Sequence, residues 1–524
     1  MTTRVPVECR TPVDGNLIEA FWRYEDALLT NDVDELNALF ADSELTFRVD
    51  SQRVLMGCDA IRAFRSNRSA PPTRVVERVF AQTIDTHTAI VTATTRPPEG
   101  TGSCGFQTQV WQHTDGTWRI AAAHVTQPTS PAGPILDASV WRCAGNPLVP
   151  ASGAGPLSGF TVAVKDLFAI AGFAVGAGNP TFLAENPIRT ETAPAVVALL
   201  DAGAAIAGIA QTDELAYSLD GANAHYGAPP NPRSPDGLPG GSSSGTASAV
   251  ALGWATIGLG TDTAGSIRVP ASLQGLHGLR TTHGLVPTDG MQPLAPSFDT
   301  VGVLAASADQ LHDAASVLAP GTGGPPPRRT VVVPALTAIA APDVYRDFTR
   351  RLDRWVVDGV LPPIEQVDLA PVQLDRWMRA FQRVQGAEAW RQHGRWVQDH
   401  PEALGTAVAE RFAIAAGITD AQLAEAHRVL AEAREVLSEI VDASVLALPT
   451  CPAGAPSRTN TAEYLRIFRT STLRLTTPAS IAGLPAISIP VLATAQRQPV
   501  GLGLVGERGT DLLLIDIARH VAPA

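Results

Sequence analysis

A stretch rich in Pro, Gly, Ser and Ala, residues 127–159, divides the 524-residue chain into two parts with different patterns. Only a short apolar interruption at 135–141 breaks this stretch. Such a composition is typical of a connection, because Gly and Pro disfavour the interiors of helices and strands. The chain is also longer than one ordinary domain. We therefore predict two domains, 1–126 and 157–524, joined by a linker at 127–156.

The first part begins with helical patterns and continues with strand-like runs. Leu17, Phe21, Tyr24 and Leu28 recur at helical spacing, and a second short helix is predicted at 33–40. A turn signal, Asp115-Gly116, joins the last two of the strand-like runs that follow. These runs are 46–49, 74–80, 89–95, 106–112 and 118–124. The order predicts a small α+β domain in which a curved antiparallel sheet wraps around helices.

The second part alternates between strand and helix patterns. A strand at 160–164 precedes a helix that opens at Thr192 and Pro194, and another strand follows at 204–210. This alternation predicts an α/β fold with a sheet buried between helices. Later in the chain, apolar residues from 423 to 440 line one helical face. A capping box formed by Thr419 and Gln422 is predicted to begin that helix.

Composition and charge argue against several classes of function. The formal net charge of -12 disfavours nucleic acid as a partner. No apolar run is long enough to cross a bilayer, and the first residues do not resemble a signal peptide. The five cysteines are scattered and include no C-x-x-C pair, which argues against a disulfide framework or a thiolate metal site. We expect a cytoplasmic protein without a metal, another cofactor or a membrane partner.

Two Gly/Ser-rich loops enclose an apolar segment within residues 239–272. Glycines free the backbone around Ser242 in the first loop and before Ser266 in the second. Loops of this kind can aim several N–H groups at one point, as a developing oxyanion requires. A flexible Gly/Ser linker would not enclose an apolar run, so a structured site is the better interpretation.

A serine nucleophile needs a neighbouring base, and the sequence offers two readings of which base it is. Ser243 formally matches the G-x-S-x-G elbow, but that elbow follows a strand directly, whereas 231–240 is rich in Pro and Gly. A histidine base is therefore not required. Lys165 ends an apolar strand, where burial would lower the pKa of its amine and allow it to act as a base. The alternative role for Lys165 is an ion pair with Asp166.

These segments resemble the amidase signature family from about residue 157 to the C-terminus. The matching elements include VAVKDLF around Lys165, PGGSSSG around Ser242 and GTDTAGSIRVPAS around Ser266. The resemblance implies a central mixed β-sheet covered by helices and a cis peptide bond before Ser242. It also implies that Ser266 attacks the amide carbonyl while Ser242 passes the nucleophile's proton to Lys165. The residues whose backbone N–H groups would bind the oxyanion are Thr263, Ala264, Gly265 and Ser266.

Two features depart from the family pattern, and other polar residues lie near its motifs. Ala264 stands where the family usually has glycine, which places a Cβ at a tight point of the oxyanion loop. The segment GLRTTHG, which contains Arg280, also departs from the commoner continuation. Asp262 and Arg268 flank the nucleophile, and we expect them to form an ion pair that fixes the loop. For His225 we expect a wall or structural role.

The first part of the chain resembles AtzH-like proteins of the SnoaL-like superfamily, which have a small cone-like α+β fold. The resemblance is carried by FWRYEDALLTNDVDELNALF, by Phe64-Arg65 and by QTQVW…WRIAAAHVT. SnoaL-like domains commonly pair through their open sheets, so we expect a homodimer. Arg65 and His124 are candidates for a pocket in this domain, although core or surface roles are the simpler reading.

Within the family, the NAHYG, GNP and SFDTVG segments are most similar to small-carboxamide amidases, including plant indole-3-acetamide hydrolases. The expected activity is hydrolysis of a small linear amide through an acyl-enzyme. The AtzH-like part raises the alternative of a ureide-type hydrolase that acts on a carboxybiuret-like or allophanate-like substrate. Two further alternatives are an amidotransferase subunit, against which the fused N-terminal domain argues, and a non-catalytic binding scaffold.

Overall fold

The computed structural model describes residues 4–9, 11–50, 54–66, 74–96, 105–126 and 137–521. The chain divides into two compact units, Met1–Ala132 and Gly133–Ala524. Each unit has its own β-sheet and its own hydrophobic core.

The N-terminal unit is the predicted α+β domain. Its sheet has the strand order β1-β4-β5-β6-β7-β2-β3. Its described helices are α1 (Gly15–Thr30), α2 (Val33–Ala38) and α3 (Cys58–Ser66). Its strands are β1 (Val7–Cys9), β2 (Phe47–Asp50), β3 (Val54–Met56), β4 (Val75–Asp85), β5 (Thr88–Arg96), β6 (Gly105–Thr114) and β7 (Thr117–Thr126). The β6–β7 hairpin turns at Asp115 and Gly116, which both have positive φ (51° and 74°), as this hairpin turn requires.

The C-terminal unit is the predicted α/β domain, a mixed sheet covered by helices. Its strands are β8 (Trp141–Val149), β9 (Thr161–Lys165), β10 (Ala205–Ala210), β11 (Ile257–Thr261), β12 (His277–Arg280), β13 (Val301–Ala305), β14 (Arg329–Val332), β15 (Ile364–Gln366), β16 (Ser444–Pro449), β17 (Ala486–Ala493) and β18 (Pro499–Val505). Their order in the sheet is β15-β14-β16-β18-β17-β12-β13-β11-β9-β10-β8. The helices are α4 (Pro180–Glu185), α5 (Pro194–Asp201), α6 (Ser244–Ala251), α7 (Arg268–Gln274), α8 (Ala308–Leu318), α9 (Pro334–Thr337), α10 (Pro342–Val357), α11 (Pro371–Asp399), α12 (Thr406–Ala416), α13 (Asp420–Val441), α14 (Ala462–Ala482) and α15 (Asp511–His520).

Part of the predicted linker is a strand. Residues 127–136 lie outside the described residues, but β8 pairs antiparallel with β10 at the edge of the large sheet. This strand contains Pro147, preceded by a cis peptide bond. A proline is tolerated on an edge strand because its missing N–H is not needed by a second neighbour. The Pro/Gly-rich composition that indicated a linker therefore conceals an edge strand.

The sheet topology brings the distant motifs to one edge. Strand β9 lies between β10 and β11 and runs parallel to both, with Val164 opposite Leu259. Parallel strands present their carboxyl ends on the same side, where ligand sites of α/β sheets form. Lys165 at the end of β9 thus lies beside Thr261 at the end of β11.

Helix α13 begins with the predicted capping box of Thr419 and Gln422.

Candidate active site

The structure places Lys165 directly beside Ser242. The Lys165 side chain is completely buried, and its Nζ donates to Ser242 Oγ at 2.8 Å and to Thr261 Oγ1 at 2.7 Å. Asp166 is bound instead by Arg142, at 3.0 Å. The alternative pairing of Lys165 with Asp166 is therefore not the arrangement observed.

The environment of Lys165 favours a neutral amine. Burial lowers the pKa of Lys165 to about 7, although the carboxylates of Asp213, Asp299 and Asp262 act in the opposite direction. An amine with this pKa is deprotonated in a large fraction of molecules near neutral pH, so Lys165 can accept a proton there.

A signal in the sequence also singles out Lys165. It is the only lysine in the chain, and all the other residues among the 39 Lys and Arg are arginines. A guanidinium stays protonated at any accessible pH, whereas a buried ammonium can lose its proton. The single position that carries lysine is thus a buried one, where the pKa of an amine can fall enough for it to lose its proton. This signal points to Lys165 without any motif.

Ser242 is held by its backbone. The Gly241–Ser242 peptide bond is cis, as the resemblance implied. The Ser242 carbonyl accepts hydrogen bonds from the Asp213 N–H at 3.0 Å and from Thr212 Oγ1 at 2.9 Å. A Cβ on Gly241 would collide with the Asp213 carboxylate. Burial raises the pKa of that carboxyl to about 6. Asp213 and Thr212 thus fix the position of the hydroxyl that contacts Lys165.

Ser266 lies in the loop between β11 and α7. Its carbonyl accepts a hydrogen bond from the Ser243 N–H at 3.2 Å, which joins the two Gly/Ser-rich loops. Ser266 is only 3% exposed and lines a small cavity of about 250 Å³, counted with its open mouth. The residues that line this cavity are Ala216, Tyr217, Ser218, Leu219, Thr263, Ala264, Ser266, Leu294, Gln385, Arg469 and Leu473.

Asp262 organises the loop that carries Ser266. Its carboxylate accepts from the Gly265 N–H at 2.8 Å and binds Arg268 at 2.9 Å, while Arg280 contacts both its side chain and its carbonyl. Burial acts to raise the pKa of Asp262, but the charges of Arg268 and Arg280 and the hydrogen bonds hold it well below its usual range. The ion pair of Asp262 with Arg268 is the one expected from the sequence, and Arg280 from the divergent segment joins it.

Three of the four N–H groups predicted to bind an oxyanion are free. Within the described residues, no acceptor is found for the N–H groups of Thr263, Ala264 and Ser266. The Gly265 N–H is different, because it is already donated to Asp262. The N–H groups of Thr263, Ala264 and Ser266 are therefore available to a bound ligand, whereas the Gly265 N–H holds the loop to Asp262.

Sequence reasoning missed the residues that support this loop from other elements. Thr476 on α14 donates through Oγ1 to the Ala264 carbonyl at 2.6 Å. The Thr263 hydroxyl donates to Asp299 at 2.6 Å, and Thr261 accepts from Lys165. Thr476 and Asp299 are distant from the Gly/Ser-rich loops in the chain, and the side-chain contacts of Thr261 and Thr263 depend on their partners in the fold, so no local pattern marked these interactions.

The remaining sequence candidates make other contacts or are exposed. The His225 ring shares a hydrogen bond with Glu214 at 2.6 Å, in a cluster that also contains Asn179. In the N-terminal unit, Arg65 is buried and donates to the Leu36 carbonyl at 2.6 Å. His124 is exposed.

The fold and the two Gly/Ser-rich loops are those of a known class of protein. Residues 148–329 and 388–515 match the family model described as Amidase, so the chain belongs to the amidase family. Residues 10–130 match a second model, described as AtzH-like.

Relatives and solved structures agree with this assignment. Amidase 1 from Oryza sativa subsp. japonica is 33% identical over 398 residues, which cover 70% of this chain and 90% of that protein. A crystal structure of an amidase is 30% identical, with a TM-score of 0.62, and the match covers 70% of this chain and 84% of the other. The Kluyveromyces lactis allophanate hydrolase is 25% identical, with a TM-score of 0.63, over 70% of this chain and 62% of that chain.

Among the described helices, none combines the length and the apolar character that crossing a membrane would require.

Proposed function

We propose that this protein is an amidase that hydrolyses the C–N bond of a small linear carboxamide through Lys165, Ser242 and Ser266. The observation that carries the proposal is the 2.8 Å hydrogen bond between the buried Lys165 amine and the Ser242 hydroxyl. A buried lysine with a lowered pKa beside a serine is a proton relay suited to activating a nearby nucleophile. Ser266, on the loop joined to Ser243, is the serine that such a relay would serve.

The proposed reaction proceeds in two halves. Ser266 Oγ forms a bond to the amide carbonyl carbon, its proton passes to Ser242, and the Ser242 proton passes to the neutral Lys165. The oxyanion is bound by the free N–H groups of Thr263, Ala264 and Ser266. Lys165 returns its proton through Ser242 to the leaving nitrogen, the C–N bond breaks and an acyl-enzyme remains. Water then attacks the ester by the same relay and releases the acid and free Ser266.

Three other functions compete with this one. The similarity to an allophanate hydrolase supports a ureide-type hydrolase, which would use the same residues on a carboxybiuret-like or allophanate-like substrate. An amidotransferase subunit would deliver ammonia to a partner protein, and a non-catalytic scaffold would bind without turnover. The presence of Lys165, Ser242 and Ser266 together favours a hydrolase over a scaffold, since binding alone requires no proton relay.

The proposal extends to the location, the oligomeric state and the cofactor requirement of the enzyme. We place it in the cytoplasm as a homodimer formed through the AtzH-like unit, acting on a small molecule without metal or another cofactor. The N-terminal unit would then serve assembly or stability.

The test is ammonia release from a panel of small carboxamides and ureides by the full chain, with and without a cell extract. In Ser266→Ala, turnover should fall by at least about a thousandfold, because no neighbouring group replaces the nucleophile. Ser152→Ala is the control, since this serine lies on the surface of the same unit. Near-native turnover by Ser266→Ala would refute the mechanism, and turnover only with extract would favour the amidotransferase.

A further inference from the structure

The cavity beside Ser266 contains an arginine without a partner. Arg469 on α14 lines the cavity, and its Nε is buried and forms no hydrogen bond with the described residues. Its guanidinium also has no carboxylate within ion-pair distance in the described part of the chain. Arg469 as a whole is only half-buried, so its guanidinium is accessible to an anion that enters the cavity.

The other arginines around the site differ from Arg469. Arg268 and Arg280 pair with Asp262, and Arg411 donates to the Tyr217 carbonyl at 2.8 Å and lies 3.9 Å from Asp220. Of the two carboxylates whose charge acts on Arg469, Asp220 lies beside Arg411 and Asp213 accepts from the Gly221 N–H, and neither forms an ion pair with Arg469. Burial lowers the pKa of Arg469 to about 10, so its guanidinium remains charged at neutral pH.

The rest of the cavity provides no negative charge. Among the described residues that line it, Arg469 is the only one with a formal charge. Gln385 is 6% exposed, and its amide forms no hydrogen bond with the described residues. The cavity is thus lined both by Ser266 with its neighbouring loop residues and by the unpaired Arg469 guanidinium and the Gln385 amide.

We infer that Arg469 binds a carboxylate of the substrate, so that the enzyme acts on amides that carry a carboxylate a few bonds from the scissile carbonyl. A guanidinium and a carboxylate can form two parallel hydrogen bonds, which fix orientation as well as charge. A short substrate held there by its carboxylate would have its amide group in the cavity that Ser266 also lines. The inference rests on the proposed function and specifies the substrate class of the same site.

The experiment compares acids with uncharged analogues of the same length. The probes are the monoamides of the three-, four- and five-carbon dicarboxylic acids and the methyl ester of each, assayed by ammonia release. The wild type should prefer at least one acid over its ester. In Arg469→Gln this preference in kcat/KM should fall about 10- to 100-fold, as expected when a hydrogen bond to a charged group is lost.

Two variants control for charge and for general damage. Arg469→Lys keeps the charge without the forked geometry and should recover part of the preference. Arg474→Gln removes an arginine from the same helix that is bound to Asp375 at 2.7 Å, and it should keep the wild-type preference. Circular dichroism and thermal unfolding establish that each variant is folded. Equal rates for acid and ester in the wild type, or an unchanged preference in Arg469→Gln, would overturn the inference.

A binding measurement separates this inference from the proposed function. Calorimetric titration of Ser266→Ala with the four-carbon monoamide should show binding that is lost in the Ser266→Ala, Arg469→Gln double variant. If the wild type hydrolyses no probe while this Arg469-dependent binding is present, the anion site stands and the amidase proposal fails. If amides are hydrolysed without any role for Arg469, the amidase proposal stands and the anion site fails. Absence of both turnover and binding rejects both.

Discussion

The Nζ atom of Lys165 lies 2.8 Å from the Oγ atom of Ser242, and both side chains are completely buried. The two residues are 77 positions apart in the chain. Burial lowers the pKa of the Lys165 ammonium to about 7, so the amine can gain and lose a proton near neutral pH, and in the proposed mechanism the hydrogen bond gives that proton a path. Without burial the lysine would remain an ammonium, and the contact would have no use as a relay.

The pH dependence of turnover should report the state of Lys165. The active form is the neutral amine, so kcat/KM should rise with pH up to about 7 and level off above it. Lys165→Ala should lower kcat severely with a smaller effect on substrate binding. Its residual rate should lack this rise, and an unchanged pH profile in an active Lys165→Ala variant would contradict the role.

The pKa of Lys165 can be measured directly, because it is the only lysine. Protein labelled with ¹⁵N-lysine carries a single side-chain amine signal, which needs no assignment. We expect it to titrate near pH 7 in the folded protein and near 10.5, the ordinary lysine value, after unfolding. A folded-state titration above pH 10 would show that burial does not neutralise the amine.

Asp262→Asn should destabilise the protein strongly. The neutral amide would leave Arg268 and Arg280 buried without their carboxylate, which costs about 3–5 kcal/mol in comparable buried pairs. Chemical unfolding followed by circular dichroism measures the loss. Asp353→Asn is the matched control, since Asp353 is exposed and forms no ion pair with the described residues. Equal stability of the two variants would mean that the Asp262 cluster does not support the fold.

Gly241→Ala should displace Ser242 from its hydrogen bond with Lys165. The new Cβ would lie 2.7 Å from the Asp213 Cγ, so the buried carboxylate and the Ser242 backbone must shift. Overpacking of this kind costs about 1–3 kcal/mol, and we expect kcat to fall at least about tenfold. At Gly323 an added Cβ meets nothing within 4 Å, so Gly323→Ala should match the wild type. A Gly241→Ala variant with wild-type kcat would show that the Ser242 position tolerates the shift.

Removal of residues 1–132 tests the division of labour between the two units. Lys165, Ser242 and Ser266 all belong to the second unit, so a folded truncation should retain turnover and change its oligomeric state. Circular dichroism, mass in solution and kcat are compared with the full chain. A folded truncation that keeps its oligomeric state but loses all turnover would place part of the site in the AtzH-like unit.

The sequence by itself determined the two-part organisation, the fold class of each part and the segments that carry the site. Each of these features can be recognised in a short stretch of sequence, because periodicity, turn residues and helix caps act over a few neighbouring residues. The hairpin at Asp115-Gly116 and the capping box at Thr419 are local in this sense, and both are present in the structure. The Gly/Ser-rich loops around Ser242 and Ser266 are local as well.

Only the tertiary structure decided which groups meet. Whether Lys165 contacts Asp166 or Ser242 depends on the parallel pairing of β9 with β11. The residues next to Lys165 in the sequence do not reveal this pairing. The use of the Gly265 N–H by Asp262 depends on the path of the folded loop. The unpaired Arg469 in the cavity of Ser266 depends on where a helix some 200 residues later packs. Such contacts join segments far apart in the chain, and the packing of the whole core selects them rather than the preference of any one segment.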